Sequence, residues 1–277
     1  MFLIVDLDGV VYRGRQPVPG VAAALARRAA AGDLIVYATN NSRAHRAEYA
    51  ARLAALGAPV DARRIVTAAR ATALVLAGDR PRWCASGRTM VLGGPGLGRE
   101  LRDVGLRVLA PTRHGLAAGP GSLVVGVDFA LSYERLSVAA AAVRDGATFV
   151  ATNRDHVFPT EGGLMAGAGT MVAAVAVAAG REPDLVVGKP EPHLFEAAAA
   201  LAGRPVREAV VVGDGLRTDI AAARRVGARS ILILTGVTSA DEVEAADAGD
   251  RPTVVAADAA GLERALAALA GDTSREA

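Results

Sequence analysis

Four short stretches hold the side chains best suited to chemistry: Asp6, Asp8 and Gly9 in DLDGVVYRG, Thr39, Asn40 and Asn41 in ATNNS, Lys189 in VVGKPEP, and Asp214 and Asp219 in GDGLRTDI. Several carboxylates brought together repel and do not all stay ionised without cations. Oxygen donors with no His or Cys among them favour Mg²⁺ over zinc. The expected metal ligands are Asp6, Asp214 and the backbone carbonyl of Asp8, with Asp219 acting through water. A metal and Lys189 would let a carboxylate approach a phosphate dianion. Without them, one pair of like unit charges ~4 Å apart costs about 4 kcal/mol even at an effective dielectric of ~20. Asp6 is then the expected nucleophile, forming an aspartyl-phosphate. Asp8, two residues on, is expected to protonate the leaving oxygen and afterwards to deprotonate water. Thr39 and the amide of Asn40 are expected to bond the phosphoryl oxygens, with Gly9 and Asn41 beside them.

Lys189 is the only lysine; the other 30 of the 31 basic residues are arginine. Such a composition replaces lysine wherever arginine serves as well. A surviving lysine points to a site that needs a compact point charge on a thin stem rather than a wide planar fork.

These stretches need elements to hold them at one edge. FLIV (2–5), LIVYA (34–38), AVVV (209–212) and SILIL (230–234) read as buried parallel strands, apolar throughout and ending at polar or Gly positions. Helical patterns at 21–32 and 47–57, each stopped by Gly, lie between them. The alternation predicts an α/β, doubly wound parallel sheet, in which ligands sit at the carboxyl ends of the strands. TMVLG, LRVLA, SLVVGVD and ATFVAT form a second strand–helix series. The reading is a core at 1–79 and 184–277 with an inserted α/β domain at 80–183. The last residues, 271–277, are expected to fray.

The order DxDGxxYRG, TNNS, GKPEP, GDxxxTDI resembles the haloacid dehalogenase superfamily, and the insert resembles the cap of its subfamily IIA. The cap pieces GVDFALSYERL (126–136), ATNRDHVFPTEGGL (151–164) and GAGTMVAA (167–174) carry that resemblance, as does LTGVTS (234–239) in the core. It implies a Rossmann-like core, Mg²⁺, and hydrolysis of a small phosphorylated metabolite by Asp6, Asp8, Thr39 and Lys189, with Asp214 as main acidic metal ligand. It also implies closure or selectivity roles for Asn153 and Asp155 and a homodimer through the cap as one oligomeric option. Gly215 and Arg217 depart from a family habit of a bulky or basic residue and an acidic one, and Ala166 stands where Pro is common. A phosphotransferase or mutase on the same aspartyl-phosphate, or a non-catalytic phosphometabolite-binding regulator, are the alternatives; the intact set of acidic residues, Thr39 and Lys189 favours the hydrolase.

Other features read as structural. Net charge is +2 and aromatics are 4%, which argues against a nucleic-acid partner. The start has no basic segment before its apolar run, and the apolar stretch at 171–179 is too short for a bilayer, so no membrane partner and a cytoplasmic location are expected. Cys84, the single cysteine, excludes an internal disulfide and reads as an inert or exposed thiol. His45, His114 and His193 read as solvated or capping, and GGPGLG (93–98) as a strand-to-helix turn. Arg13 and Arg43 flank the motifs and could meet an anion or form salt bridges.

Overall fold

The computed structural model describes residues 1–160 and 162–273. Its strands in chain order are β1 Phe2–Val5, β2 Tyr12–Arg13, β3 Gln16–Pro17, β4 Leu34–Thr39, β5 Ile65–Thr67, β6 Arg88–Leu92, β7 Arg107–Leu109 and β8 Ser122–Val125. They continue as β9 Thr148–Ala151, β10 Val157–Thr160, β11 Gly163–Ala166, β12 Leu185–Val186, β13 Ala209–Gly213, β14 Arg229–Ile233 and β15 Val254–Ala256. Two compact units divide the chain. The first takes Met1–Thr39, Tyr49–Val66 and the chain from Lys189 onward; the second takes Asn40–Glu48 and Thr67–Gly188.

The first unit holds a six-stranded sheet ordered β15-β14-β13-β1-β4-β5. β1 pairs in parallel with both β13 and β4, and β13, β14 and β15 continue in parallel. Every residue of β1 and of β13 is buried, as expected for central strands covered by helices on both faces. The chain winds from β1 toward β4 on one side and returns to β13 on the other, so the winding reverses between β1 and β13. Side chains just beyond the carboxyl ends of these two strands face the crevice that such a reversal creates.

The second unit repeats the plan with the order β12-β9-β8-β6-β7, every pair parallel. Its core gathers Met90, Leu92, Leu123, Val125 and Phe149 from the strands with Val138 and Val175 from the helices Tyr133–Arg144 and Ala168–Ala179. β10 and β11 form a separate antiparallel hairpin.

The strands read from sequence are present within one to three residues; of GGPGLG, Gly93 and Gly94 make the turn after β6 and the other four residues open the helix Pro95–Asp103. The boundaries differ from 1–79, 80–183 and 184–277. β12 pairs with β9, so the chain stays in the second unit until Gly188. The helix Ala68–Gly78 packs on the helix Pro95–Asp103, and the segment 40–48 is held there by ion pairs of His45 and Arg46 with Glu100 and Asp103. Of the end expected to fray, residues 274–277 lie outside the described residues, as does Glu161 of the piece 151–164. No helix among the described residues is long and apolar enough to cross a membrane.

Candidate active site

Asp6 and Asp214 follow β1 and β13 directly. The pairing Val5↔Val212 and the bond from the Asp6 N–H to the Val212 carbonyl, 2.8 Å, set the two aspartates at the ends of adjacent strands. Asp219 lies on a π-helical turn, Leu216–Ile220. Asp6, Asp214 and Asp219 are all buried, and each offers a carboxylate oxygen within 4.8 Å of the others. Lys189 is 3% exposed. Its Nζ donates to Asp6 Oδ1 at 2.6 Å, to Asp219 Oδ1 at 2.7 Å and to the Ala38 carbonyl at 3.4 Å. Three protons thus meet three acceptors in different directions, a task for an ammonium that a planar guanidinium performs badly.

The other Asp219 oxygen accepts from the Gly215 N–H at 3.1 Å and the Thr218 hydroxyl at 3.2 Å. Asp214 Oδ2 accepts from the Val237 N–H at 2.8 Å. Gly9 passes so close to Asp214 that a Cβ on it would fall 2.1 Å from Asp214 Oδ2, and its φ of +78° is one that L side chains rarely adopt. The glycine after Asp8 is therefore required by the carboxylate opposite.

Burial raises the Asp6 pKa well above its usual range; Lys189 opposes this, and Asp219 and Asp214 add to it. Burial also pushes Asp214 up to about 7, reinforced by Asp219 and opposed by the Val237 N–H and Lys189. Burial works against the charge of Lys189, but Asp219 and Asp6 outweigh it and its pKa ends above the ordinary lysine value. Asp8 is less buried and is raised by desolvation, held back by the Gly14 backbone and Arg52. Three buried carboxylates face one ammonium, and Asp6 and Asp214 answer with raised proton affinity. A donor set of oxygens alone, carrying excess negative charge, suits a hard divalent cation.

Residues 3–107 match the model of haloacid dehalogenase-like hydrolases, and residues 186–262 match a second, HAD-hydrolase-like model. The chain is 38% identical over 262 residues to D-glycerol 3-phosphate phosphatase of Mycobacterium tuberculosis, covering 95% of this chain and 70% of that protein. It is 39% identical over 266 residues to mouse chronophin, covering 91% and 87%. Among solved structures, p-nitrophenyl phosphatase from Archaeoglobus fulgidus superposes with a TM-score of 0.85 at 30% identity, covering 95% of this chain and 98% of that one. Glycerol phosphate phosphatase from Mycobacterium tuberculosis in complex with magnesium gives 0.83 at 37% identity, covering 94% and 75%.

The chain belongs to the haloacid dehalogenase-like hydrolases.

Within this hydrolase the remaining motif residues divide between the units. Thr39 ends β4 and is buried. Asp8 forms a β-bridge with Tyr12, and the Gly9 N–H bonds the Tyr12 carbonyl at 2.7 Å. Asn40, Asn41, Asn153 and Asp155 lie in the second unit. There Asn40 Nδ2 donates to both oxygens of Asp155, at 3.2 and 3.1 Å, and Asn153 Nδ2 donates to the Asn40 carbonyl at 2.7 Å. Asn41 accepts from the Arg43 N–H at 2.9 Å, and the Arg43 guanidinium lies over the Phe129 ring. Arg13 bonds the Thr235 carbonyl.

LTGVTS, noted in the sequence for its resemblance, contributes here: Thr235 donates to the Gly9 carbonyl at 2.7 Å, Thr238 accepts from the Leu216 N–H at 3.0 Å, and the Val237 N–H bonds Asp214. Another contributor had no sequence signal of its own. Arg52 lies over the Tyr12 ring at 3.3 Å and bonds the Gly14 carbonyl, which ties the helix Arg46–Ala55 to the loop after Asp8. At the departure Gly215, a Cβ would fall 2.0 Å from Thr218 Oγ1, so any larger residue there would have to displace the Thr218 hydroxyl that bonds Asp219.

Of the solvated and capping roles expected for His45, the capping one is present. His45 is buried, its Nδ1 accepts from the Ala47 N–H at 3.3 Å at the start of the helix Arg46–Ala55, and its Nε2 lies 3.0 Å from Asp103. Cys84 is buried, its thiol at 3.2 Å from the Thr89 hydroxyl, so it is inert through burial and not exposed. His193 starts the helix His193–Ala202 and its ring bonds the Glu196 side chain at 3.2 Å; the cap position is Pro192, so His193 does not take the capping role.

Proposed function

We propose that this hydrolase is a Mg²⁺-dependent phosphomonoester phosphatase that acts on a small phosphorylated metabolite through an aspartyl-phosphate. The observation that carries the reading is the sharing of Lys189 between Asp6 and Asp219 beside Asp214. Lys189 favours the ionised form of Asp6 against its burial and aims one of its oxygens. Asp6 attacks phosphorus, and the bond from phosphorus to the ester oxygen breaks. Asp8, whose raised pKa suits a proton carrier, protonates that oxygen. Asp8 then takes a proton from water as the water attacks phosphorus, the acyl phosphate bond breaks, and Asp6 is restored as phosphate leaves. Thr39 and the Asn40 amide hold phosphoryl oxygens.

Asp6, Asp214 and the Asp8 carbonyl would hold Mg²⁺, which when bound would supply charge neutralisation at the phosphoryl oxygens. Asp219 already accepts three hydrogen bonds from Lys189, Gly215 and Thr218, which fits a role in fixing Lys189 and reaching the metal only through water. The second unit serves as the cap that excludes water and selects the leaving group. The similarity to phosphatases of D-glycerol 3-phosphate supports small phosphorylated polyols as the first substrate class.

The test is phosphate release from glycerol, glycolate, sugar, pyridoxal and aryl phosphates, each with Mg²⁺, with chelator, and with Asp6→Asn. Release that requires Mg²⁺ and vanishes in Asp6→Asn supports the reading. Release at the Asp6→Asn background on every ester contradicts it.

A further inference from the structure

The chain leaves the first unit between Thr39 and Asn40 and re-enters it between Gly188 and Lys189. Both crossings therefore adjoin a residue assigned to the chemistry. On the second-unit side the two crossings meet in one hydrogen-bonded group. Asn40 donates its side-chain amide to both oxygens of Asp155 and accepts from Asn153 at its carbonyl. The Asp155 N–H bonds Asn153 Oδ1 at 3.0 Å, and Asn153 is 3% exposed. The Gly188 N–H bonds the Thr152 carbonyl at 2.8 Å. A Cβ on Gly188 would lie 2.7 Å from Asn153 Cβ, Asn40 Oδ1 and the Thr152 carbonyl oxygen alike.

The bond from Asp155 N–H to Asn153 is an ordinary Asx turn. The bonds to Asn40 are not local, because 113 and 115 residues separate the partners. We propose that Asn40, Asn153 and Asp155 form a clasp that fixes the backbone next to Thr39 and Lys189, making Asn153 and Asp155 positioning residues rather than substrate contacts. The proposal rests on the phosphatase reading for what Thr39 and Lys189 do. Asn153 spends its side-chain amide and carbonyl inside the clasp, and Asp155 receives the Asn40 amide on both oxygens. Gly188 is the residue that lets the returning strand end pass against them.

Two measurements separate this from a specificity role. The first compares Asp155→Ala, Asn40→Asp and the exchanged pair Asn40→Asp/Asp155→Asn on glycerol 3-phosphate and on 4-nitrophenyl phosphate. Misplacing catalytic groups by a fraction of an ångström lowers turnover whatever the leaving group. Asp155→Ala is expected to lower kcat by the same factor on both esters, about ten- to hundredfold, with KM nearly unchanged. Asn40→Asp sets two carboxylates face to face and should be at least as damaging; the exchanged pair restores an amide–carboxylate bond and should recover most of the loss. A raised KM on one ester alone, or no recovery in the exchanged pair, overturns the clasp. The second is amide hydrogen exchange at Gly188 and Asp155. Asp155→Ala should speed exchange there while the strands β6, β8 and β9 keep their protection. Unchanged protection overturns the clasp. This arm does not depend on turnover, so a wild-type protein that releases phosphate from neither ester would contradict the phosphatase reading and leave the clasp to be decided by exchange.

Discussion

Two parallel sheets in this chain are wound alike, and they use their reversal points differently. In the first unit, the reversal between β1 and β13 presents Asp6 and Asp214 with Asp219 and Lys189 beside them. In the second, the reversal lies between β6 and β8 and is followed by Gly93 and Gly126. There Ser42 and Thr152 bond each other at 3.1 Å, both buried, and a Cβ on Gly126 would fall 2.7 Å from the Ser42 hydroxyl. The second reversal point is filled by protein. Asp128, two residues past Gly126, accepts from the Ala130 N–H at 2.8 Å and pairs with Arg135. The winding offers a crevice twice, and the residues after the strands decide whether it becomes a site.

Exchanging the two carboxylates for amides is the largest expected contrast. Asp6→Asn should reduce phosphate release at least ~10⁴-fold, since removing a nucleophile usually costs that much or more. Asp128→Asn should leave turnover within about twofold and instead lower stability by about 1–2 kcal/mol through its weakened bond to Arg135. Steady-state kinetics with denaturant titration on both variants reads the pair. Equal losses of activity would erase the distinction between the sheets.

Lys189→Arg comes next. A wide planar guanidinium does not fit where three bonds leave one nitrogen, so kcat should fall by at least about a hundredfold despite the retained charge. Near-normal turnover of Lys189→Arg would show that the ammonium shape is irrelevant.

The third concerns pH. The Asp214 pKa in the fold is about 7 against an ordinary 3.8, so the metal-free folded state binds this proton more tightly than the unfolded chain does. That contribution is present at low pH and is lost as pH rises through this window, at no more than about 1.4 kcal/mol per pH unit. Thermal melts of metal-free protein should therefore fall with rising pH, and added Mg²⁺ should raise the melting temperature more at about pH 8 than at about pH 5. Asp214→Asn should flatten both trends. A metal effect independent of pH would contradict the assignment.

Smallest is Tyr37→Phe on β4 of the first sheet, which removes a 2.9 Å bond from the Tyr37 hydroxyl to the Pro59 carbonyl. It should cost about 1 kcal/mol of stability and leave kcat unchanged. A change in kcat would mean that the site depends on β4 more broadly than through Thr39.

Much of the first sheet was legible because central parallel strands are continuous apolar runs, and FLIV and AVVV are such runs with an aspartate at or just beyond the end of each. The short edge strands β5 and β15 carry three residues each and no comparable signal. The unit boundaries were displaced for a different reason. What ties residues 40–48 to the second unit is buried pairing of His45 and Arg46 with Glu100, more than fifty positions away, and no local pattern records it. The burial of Cys84 had no local pattern either: its thiol meets the Arg88 carbonyl and the Thr89 hydroxyl of β6, and Thr89 in turn bonds Ser122 of β8, 33 positions on. The chemistry was legible where a residue type is costly to keep for any other reason, as at Lys189. It was illegible where main-chain groups do the work, as with the Val237 N–H on Asp214.

The most direct test of the central claim is to look for phosphate on Asp6. Wild type and Asp8→Asn, mixed with phosphorus-labelled glycerol 3-phosphate or aryl phosphate and Mg²⁺, would be acid-quenched within milliseconds and digested for peptide mapping. The account predicts label on the peptide containing Asp6 and none in Asp6→Asn; with aryl phosphate, whose leaving group needs no proton from Asp8, label accumulates further in Asp8→Asn because water is no longer activated. Phosphate release with no label at Asp6 in any variant would contradict it.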